Sequence, residues 1–140
     1  MSEPVATHIT GVRVYYEDTD SEGIVYYANY LKFAERGRTE MLRVAGIDHP
    51  SLWETHGVGF AVRRVSVDYF RPARLDDALT VYSRMTDIRG ASLCAEQAVW
   101  RGEEELVRLE VRLACVNRAG RPARMPSPLR AALHAIQNDV

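Results

Sequence analysis

The chain has 140 residues, of which 46% are hydrophobic and 26% are charged, and its formal net charge is −1 at pH 7. This composition is typical of a globular protein and excludes a disordered chain, and the near-zero net charge gives no overall electrostatic basis for binding nucleic acid. A chain of this length can bury roughly two-thirds of the surface that it exposes when unfolded, so we expect residues 1–140 to form one domain.

The sequence contains no segment that is typical of a membrane or secreted protein. No apolar run approaches the roughly 20 residues of a membrane helix. The first ten residues, MSEPVATHIT, lack the basic start and apolar core of a signal peptide. We therefore expect a cytoplasmic protein without membrane insertion. Cys94 and Cys115 have no CxxC spacing, which predicts two small core residues, and we expect neither a metal nor a cofactor.

The first two predicted elements are a strand and a long helix. The strand covers residues 8–16, HITGVRVYY, which are rich in β-branched and aromatic side chains. Turn residues follow in EDTDSEG, and apolar residues then recur at helical spacing over residues 30–45. Gly46 is placed to end this helix of about four to five turns in a left-handed conformation. The apolar face comprises Tyr30, Phe33, Ala34, Gly37, Met41, Val44 and Ala45, whereas Lys32, Glu35, Arg36, Arg38, Glu40 and Arg43 lie mostly off it.

Gly37 lies on the apolar face of the predicted helix. An interior glycine costs about 1 kcal/mol relative to alanine, but it allows another backbone to approach closely. We therefore expect the helix to pack tightly on a sheet, although a merely tolerated glycine is the alternative.

The rest of the chain is rich in strands after a short helical turn in DHPSLWETHG. Residues 57–70 alternate between apolar and polar side chains, and the parity changes near Arg63 and Arg64, which predicts a β-bulge there. Three more strands are predicted in residues 78–88, 91–100 and 106–116. In the last of them Val107, Leu109, Val111, Leu113 and Cys115 point to one side, which indicates a sheet with one buried face.

The order of the elements predicts an α+β fold. A short helix closes the chain, with Ser127 as its N-cap and Pro128 in its first turn. A strand, a long helix and four consecutive strands are most simply arranged as a single curved antiparallel sheet with the helix buried against one face. One helix covers only one face of the sheet and leaves its edges open, so we expect a homodimer.

Most familiar catalytic arrangements have no support in the residue pattern. The histidines, His8, His49, His56 and His134, form no HExxH pair and no cluster with cysteine. The GxG in HGVGF lacks the continuation of a nucleotide-binding loop, and no GxSxG is present. A metalloprotease, a nucleotide-binding loop and an α/β-hydrolase are therefore not expected.

Two aspartates lie in the turn just before the long helix. If the helix begins at residues 27–29, its unpaired N–H groups and positive dipole end face the turn with Asp18 and Asp20. Such N–H groups would bind an oxyanion while a carboxylate attacks an acyl carbonyl or deprotonates water, which suffices for acyl transfer. In the alternative, both aspartates only stabilise the turn and cap the helix, each by about 1 kcal/mol. The residue types alone leave both interpretations open.

A family resemblance favours the catalytic interpretation. The segment VRVYYEDTDSEGIVYYANYLKFAERGRTEMLR resembles the hotdog-fold thioesterases of the 4-hydroxybenzoyl-CoA thioesterase family, and most closely their branch of tol-pal-associated acyl-CoA thioesterases. Further matches are FAVRRVSVDYFRPARLDD and IRGASL, so the resemblance covers residues 11–130. The residues that match the family motif are Asp18, Asp20, Gly23, Tyr30, Glu35 and Arg38.

The resemblance implies a hotdog fold, in which about five antiparallel strands wrap around one long helix, and hydrolysis of an acyl-CoA to the free acid and CoA. It assigns the catalytic carboxylate to Asp20, either as nucleophile or as general base, with Gly23 shaping the turn. It assigns the donor that polarises the thioester carbonyl to the backbone N–H of Tyr27, and it leaves Asp18 a structural role. Many members of the branch carry histidine where this chain has Tyr27, so short aliphatic and aromatic acyl groups both remain possible substrates.

The negatively charged CoA phosphates are expected to bind arginines near the mouth of the site. The candidates are Arg63 and Arg64 at the predicted bulge, and Arg89 with Gly90 and Ser92 in IRGAS. Each of these arginines alone is alternatively an ordinary surface charge.

The resemblance also suggests partners and one rival function. We expect a homodimer, with a homotetramer if the face of Glu110 and Arg112 meets another dimer, and an acyl carrier protein is a possible alternative carrier of the thioester. The rival is a noncatalytic acyl-CoA-binding or envelope-associated interaction protein, which would not need Asp20. A hotdog dehydratase is disfavoured because no histidine lies in the motif.

Overall fold

A computed structural model of the chain describes residues 8–138. Residues 1–7, on which part of the localisation prediction rests, lie outside this range. The strands are β1 (His8–Arg13), β2 (Val58–Tyr69), β3 (Ala78–Thr86), β4 (Ser92–Arg101) and β5 (Glu104–Asn117), and the helices are α1 (Asn29–Val44), α2 (His49–Ser51) and α3 (Ser127–Asn138). A 3-10 turn covers Tyr16–Asp18, and a π-helical turn at Leu52–His56 continues α2.

The five strands form one antiparallel sheet in the order β1-β3-β4-β5-β2. Strands β1 and β2 are therefore its two edges. Helix α1 packs across β1, β3 and β4, and its apolar residues are buried with the inward-facing side chains of the sheet. This arrangement confirms the α+β hotdog fold, with one long helix against a five-stranded antiparallel sheet.

Gly37 allows α1 to lie close to the sheet, as the sequence predicts. A Cβ at this position would lie 2.8 Å from Val81 Cγ1, 3.0 Å from Ser83 Oγ and 3.2 Å from Gln97 Nε2. The first of these distances is shorter than a normal carbon contact, so no larger residue fits without displacing the helix or the sheet.

A buried polar network lies beside Gly37, and the helical pattern misplaced one of its members. Arg38 was expected on the polar face of the helix, but it is only 9% exposed and donates to Gln97 Oε1 at 3.0 Å. Gln97 Nε2 in turn donates to the carbonyl oxygen of Ala34 and to Ser83 Oγ, both at 2.8 Å. These bonds attach the middle of α1 to the centre of the sheet. Burial lowers the pKa of the Arg38 guanidinium from its ordinary value.

The C-terminal end of the predicted helix agrees with the structure in its cap but not at Val44. At its C-terminus Gly46 has φ +82°, and the N–H groups of Gly46 and Ile47 bond to the carbonyls of Arg43 and Leu42. This is a Schellman C-cap, and it confirms the predicted role of Gly46. Val44 was wrongly placed on the apolar face, since it is 79% exposed.

The remaining strand predictions differ from the structure mainly at their ends. Strand β1 stops at Arg13, short of the predicted Tyr16, because the N–H and carbonyl of Val14 bond to the 76–77 loop and the chain then turns. The register of β2 against β5 shifts between Val62 and Arg64, which confirms the predicted bulge. Helix α3 begins at Ser127, one residue before the predicted first turn.

The two cysteines are core residues, as the sequence predicts. Cys94 and Cys115 are both buried and free. No helix within residues 8–138 is long and apolar enough to cross a membrane.

Candidate active site

Asp20 lies in a tight turn that closes on itself just before α1. Its backbone N–H bonds to the carbonyl of Ile24 at 2.9 Å, and the N–H of Gly23 bonds back to the carbonyl of Asp20 at 3.1 Å. Gly23 has φ +78°, a conformation that favours glycine, which supports its predicted role in the turn. The N–H of Glu22 occupies Asp20 Oδ1 at 2.8 Å. Within residues 8–138 no donor is bonded to Asp20 Oδ2, so this oxygen is available for substrate or water.

Asp18 holds the same turn from inside the fold. Its side chain is 8% exposed, and its carboxylate accepts the N–H of Tyr15 at 2.8 Å. Its carbonyl oxygen accepts the N–H of Tyr26 at 3.0 Å and the side-chain amide of Asn29 at 2.9 Å. These contacts use one carboxylate oxygen and the backbone carbonyl of Asp18 in local structure, which is consistent with the structural role expected for the first aspartate of the motif.

The start of α1 presents a backbone donor beside this turn. The helix begins at Asn29, and the Asn29 N–H bonds to the carbonyl of Tyr26 at 2.8 Å. The N–H of Tyr27 has no acceptor among the described residues. Tyr27 is 62% exposed, so this residue lies at the surface of the chain. Tyr27 lies one residue before the N-cap Ala28, and the positive end of the helix dipole favours negative charge on a molecule that binds there.

Residues 72–74 brace the turn against the helix. The carbonyl of Ala73 accepts the N–H of Val25 at 2.9 Å, and the N–H of Ala73 donates to the hydroxyl of Tyr30 at 2.9 Å. Behind them Arg101 donates to the carbonyl of Pro72 at 3.3 Å and to Asp77 Oδ2 at 2.7 Å. The tyrosine of the motif therefore connects α1 to the segment that holds the turn, and burial raises the pKa of its hydroxyl.

The predicted CoA-binding residues fall into two groups. Arg63 and Arg64 lie exposed on β2, where Arg64 pairs with Arg112 of β5. Arg89 lies in the β3–β4 loop, where its N–H bonds to the carbonyl of Ser92 at 2.8 Å and its Nε bonds to Asp87 at 3.1 Å.

Two arginines that the sequence did not predict for CoA binding lie beside Arg89. Arg112 donates to the other oxygen of Asp87 at 2.6 Å and to Ser92 Oγ at 3.5 Å. A Cβ at Gly90 would lie 3.1 Å from Nη1 of Arg124, so this guanidinium rests on the glycine. Hydrogen bonds from Arg112 and then Arg89 lower the pKa of Asp87. Strand pairing and loop closure bring Arg112 and Arg124 to Arg89, and no local motif signals these two residues.

The structure does not bring the Asp20 turn and the Arg89 cluster together within one chain. The brace at residues 72–74 precedes β3, whereas Arg89 follows it. At about 3.3 Å per residue, the nine residues of β3 separate the two ends by roughly 25–30 Å. The two halves of the candidate site therefore lie at opposite ends of the sheet.

Strand β2 is an edge with much of its surface exposed. Residues 61–66 are exposed on both sides of the strand, and the apolar side chains of Val62 and Val65 are 54% and 39% exposed. A long edge strand with apolar side chains is a surface on which another strand can pair.

The chain is similar to several known proteins in sequence and in structure. The family profile described as the thioesterase superfamily matches residues 22–108. The acyl-CoA thioesterase YbgC of Haemophilus influenzae is 39% identical over 127 residues, which cover 90% of this chain and 93% of that protein. The acyl-CoA thioester hydrolase YbgC of Escherichia coli is 46% identical over 107 residues, 76% of this chain and 79% of that protein. A probable thioesterase from Bartonella henselae has a similar structure, with a TM-score of 0.81 and 40% identity over 85% of this chain and 98% of that one.

Proposed function

The chain belongs to the thioesterase superfamily and is an acyl-CoA thioesterase, and we propose that Asp20 and the N-terminus of α1 hydrolyse a short aliphatic or aromatic acyl-CoA. The observation that carries this proposal is the pairing of an open carboxylate oxygen on Asp20 with the unbonded N–H of Tyr27, on segments that Asp18 and Asn29 join by hydrogen bonds.

The N–H of Tyr27 would polarise the thioester carbonyl and stabilise the negative charge that develops on its oxygen. Donors that are already oriented before the reaction are worth several kcal/mol at this step. The backbone makes this bond, so a tyrosine in place of the histidine found in many relatives of the branch does not remove it.

Asp20 would act in one of two ways. As a nucleophile, it adds to the carbonyl carbon, expels the CoA thiolate and forms a mixed anhydride that water then cleaves. As a general base, it takes a proton from a water molecule that attacks the same carbon. Both routes give the free acid and CoA, and both need the carboxylate at the end of the turn that Gly23 shapes.

We further propose that the working site forms between two chains. Antiparallel pairing of β2 with β2 of a second copy would cover the exposed Val62 and Val65 side chains. It would also reverse the direction of one sheet relative to the other, which brings the Arg89 end of one chain toward the Asp20 end of its partner. The CoA phosphates would then lie on arginines of one subunit while the thioester reaches the turn of the other.

Turnover of a panel of short aliphatic, long aliphatic and aromatic acyl-CoAs tests the proposal. Asp20→Asn keeps the shape of the side chain but removes its charge, and it should lower kcat on the order of 10³-fold or more on every substrate of the wild type. Glu22→Gln is the matched control, because it changes an exposed carboxylate of the same turn and leaves the backbone bond to Asp20 in place. If Asp20→Asn matches an active wild type, Asp20 is structural and another group performs the chemistry. If the wild type hydrolyses none of the panel, the alternative of a noncatalytic acyl-CoA-binding protein is favoured.

Mixed dimers test the shared site. Chains carrying Asp20→Asn and Arg89→Ala, with different affinity tags, are co-expressed and the mixed species is purified. One of its two sites then carries both substitutions and the other carries neither, so activity at low substrate should exceed that of both parent proteins. No gain over the parents would show that each chain builds its own complete site.

A further inference from the structure

Tyr69, the last residue of β2, contacts the start of α1 in three ways. Its hydroxyl donates a hydrogen bond to the carbonyl oxygen of Tyr27 at 2.9 Å. Its ring packs edge-on against the rings of Tyr27 and Tyr30, with centroid distances of 6.2 and 5.8 Å. Burial, and then the neighbouring Tyr27, raises the pKa of the Tyr69 hydroxyl, which keeps the hydroxyl protonated as a donor.

These contacts lie on the residue whose N–H is the proposed oxyanion donor. The peptide group before Tyr27 is held through the carbonyl of Tyr26, which accepts the N–H of Asn29 at 2.8 Å. The peptide group after Tyr27 is held through the carbonyl that Tyr69 binds. The first of these peptide groups contains the Tyr27 N–H itself, and the second adjoins it. With both groups held, the direction of the N–H is set before any substrate arrives.

We propose that Tyr69 is a positioning residue that aims the Tyr27 N–H at the thioester carbonyl. The inference rests on the proposed function, because it assumes that this N–H is the oxyanion donor. Tyr69 is the last residue of the exposed edge strand β2, which is proposed to pair with a second copy. It therefore links that pairing surface to the Tyr27 N–H. The Asp20 carboxylate is held separately, by the turn and by Ala73, so loss of the Tyr69 hydroxyl leaves the other half of the chemistry in place.

The kinetic test is Tyr69→Phe, which removes the hydroxyl and retains the ring. A misaimed donor acts on the transition state more than on substrate binding, so kcat should fall about 10- to 100-fold with KM within about twofold. Tyr82→Phe is the matched control, because it removes a hydroxyl from the opposite face of the sheet, where the ring packs on Trp100. Thermal melting of both variants should match the wild type, since a structural defect would lower the melting temperature together with kcat. Unchanged kcat in Tyr69→Phe would overturn the inference.

A spectroscopic test separates this inference from the proposed function. Infrared spectra are recorded for the best substrate of the panel, labelled with carbon-13 at its carbonyl and bound to the slow variant Asp20→Asn. Polarisation by the Tyr27 N–H should shift the thioester carbonyl stretch below its frequency in solution. The double variant Asp20→Asn with Tyr69→Phe should lose most of that shift.

The outcomes are distinct. No shift in Asp20→Asn alone would reject Tyr27 as the donor and with it the proposed mechanism. An equal shift in both variants would retain the donor and reject the role of Tyr69. A shift that is present in the single variant and lost in the double variant supports both.

Discussion

Gly37→Ala is the sharpest test of how α1 is positioned. Alanine favours a helix interior by about 1 kcal/mol over glycine, which alone would stabilise the protein. The new methyl group would lie 2.8 Å from Val81 Cγ1, on a fully buried β-branched side chain of the sheet, and overpacking of this kind costs about 1–3 kcal/mol. It would also push against Gln97 Nε2 and strain its bond to Ala34, a bond worth about 1 kcal/mol. We therefore expect a net loss of about 1–3 kcal/mol in the free energy of unfolding.

Urea denaturation followed by circular dichroism measures this change. Gly11→Ala in β1 is the control, because a Cβ at Gly11 has nothing within 4 Å, and its stability should stay close to that of the wild type. A Gly37→Ala protein that is as stable as the wild type, or more stable, would refute the close packing of α1 on Val81.

Three further predictions concern the two ends of the site. Arg89→Ala should raise KM for acyl-CoA far more than it lowers kcat, and the control Arg84→Ala should leave both unchanged. A fall in kcat at constant KM in Arg89→Ala would reject phosphate binding by Arg89. Hydrogen bonds from Arg112 and Arg89 lower the pKa of Asp87 in the folded chain. The ionised Asp87 therefore stabilises the fold above its unfolded pKa, and this stabilisation is lost as the pH falls. Between about pH 5 and about pH 3, the melting temperature of Asp87→Asn should fall less than that of the wild type. In single-turnover hydrolysis in heavy-oxygen water, label in the Asp20 carboxylate shows covalent attack, because a general base leaves that carboxylate unlabelled.

Local sequence signals predicted the parts of the fold that depend on neighbouring residues. Three such signals depend on backbone geometry within a few residues, and the structure confirms them. They are the alternation of β5, the change of parity at the bulge in β2 and the glycine after α1. Gly37 was also predictable, because a costly glycine on an apolar face needs a close neighbour to justify it.

Contacts between distant segments were not predictable from a single sequence. Arg38 appears polar and exposed in a helical pattern, and only Gln97, 59 residues away, accounts for its burial. Tyr69 appears to be the last residue of an ordinary strand until the structure shows its hydroxyl on Tyr27, 42 residues away. The Asp20 turn was recognisable because its motif is contiguous, whereas Arg112 joined the Arg89 cluster only through strand pairing.

The most direct test of the account is to measure acyl-CoA binding and turnover by the same Asp20→Asn protein. Isothermal titration with the best substrate of the panel gives the affinity, and release of CoA gives kcat. The account predicts an affinity within a few-fold of the wild-type KM and a kcat lower on the order of 10³-fold or more, because Asp20 acts on the bound thioester rather than holding the turn together. Loss of binding and turnover in parallel, with a lowered melting temperature, would show instead that Asp20 is structural and that the chemistry lies elsewhere.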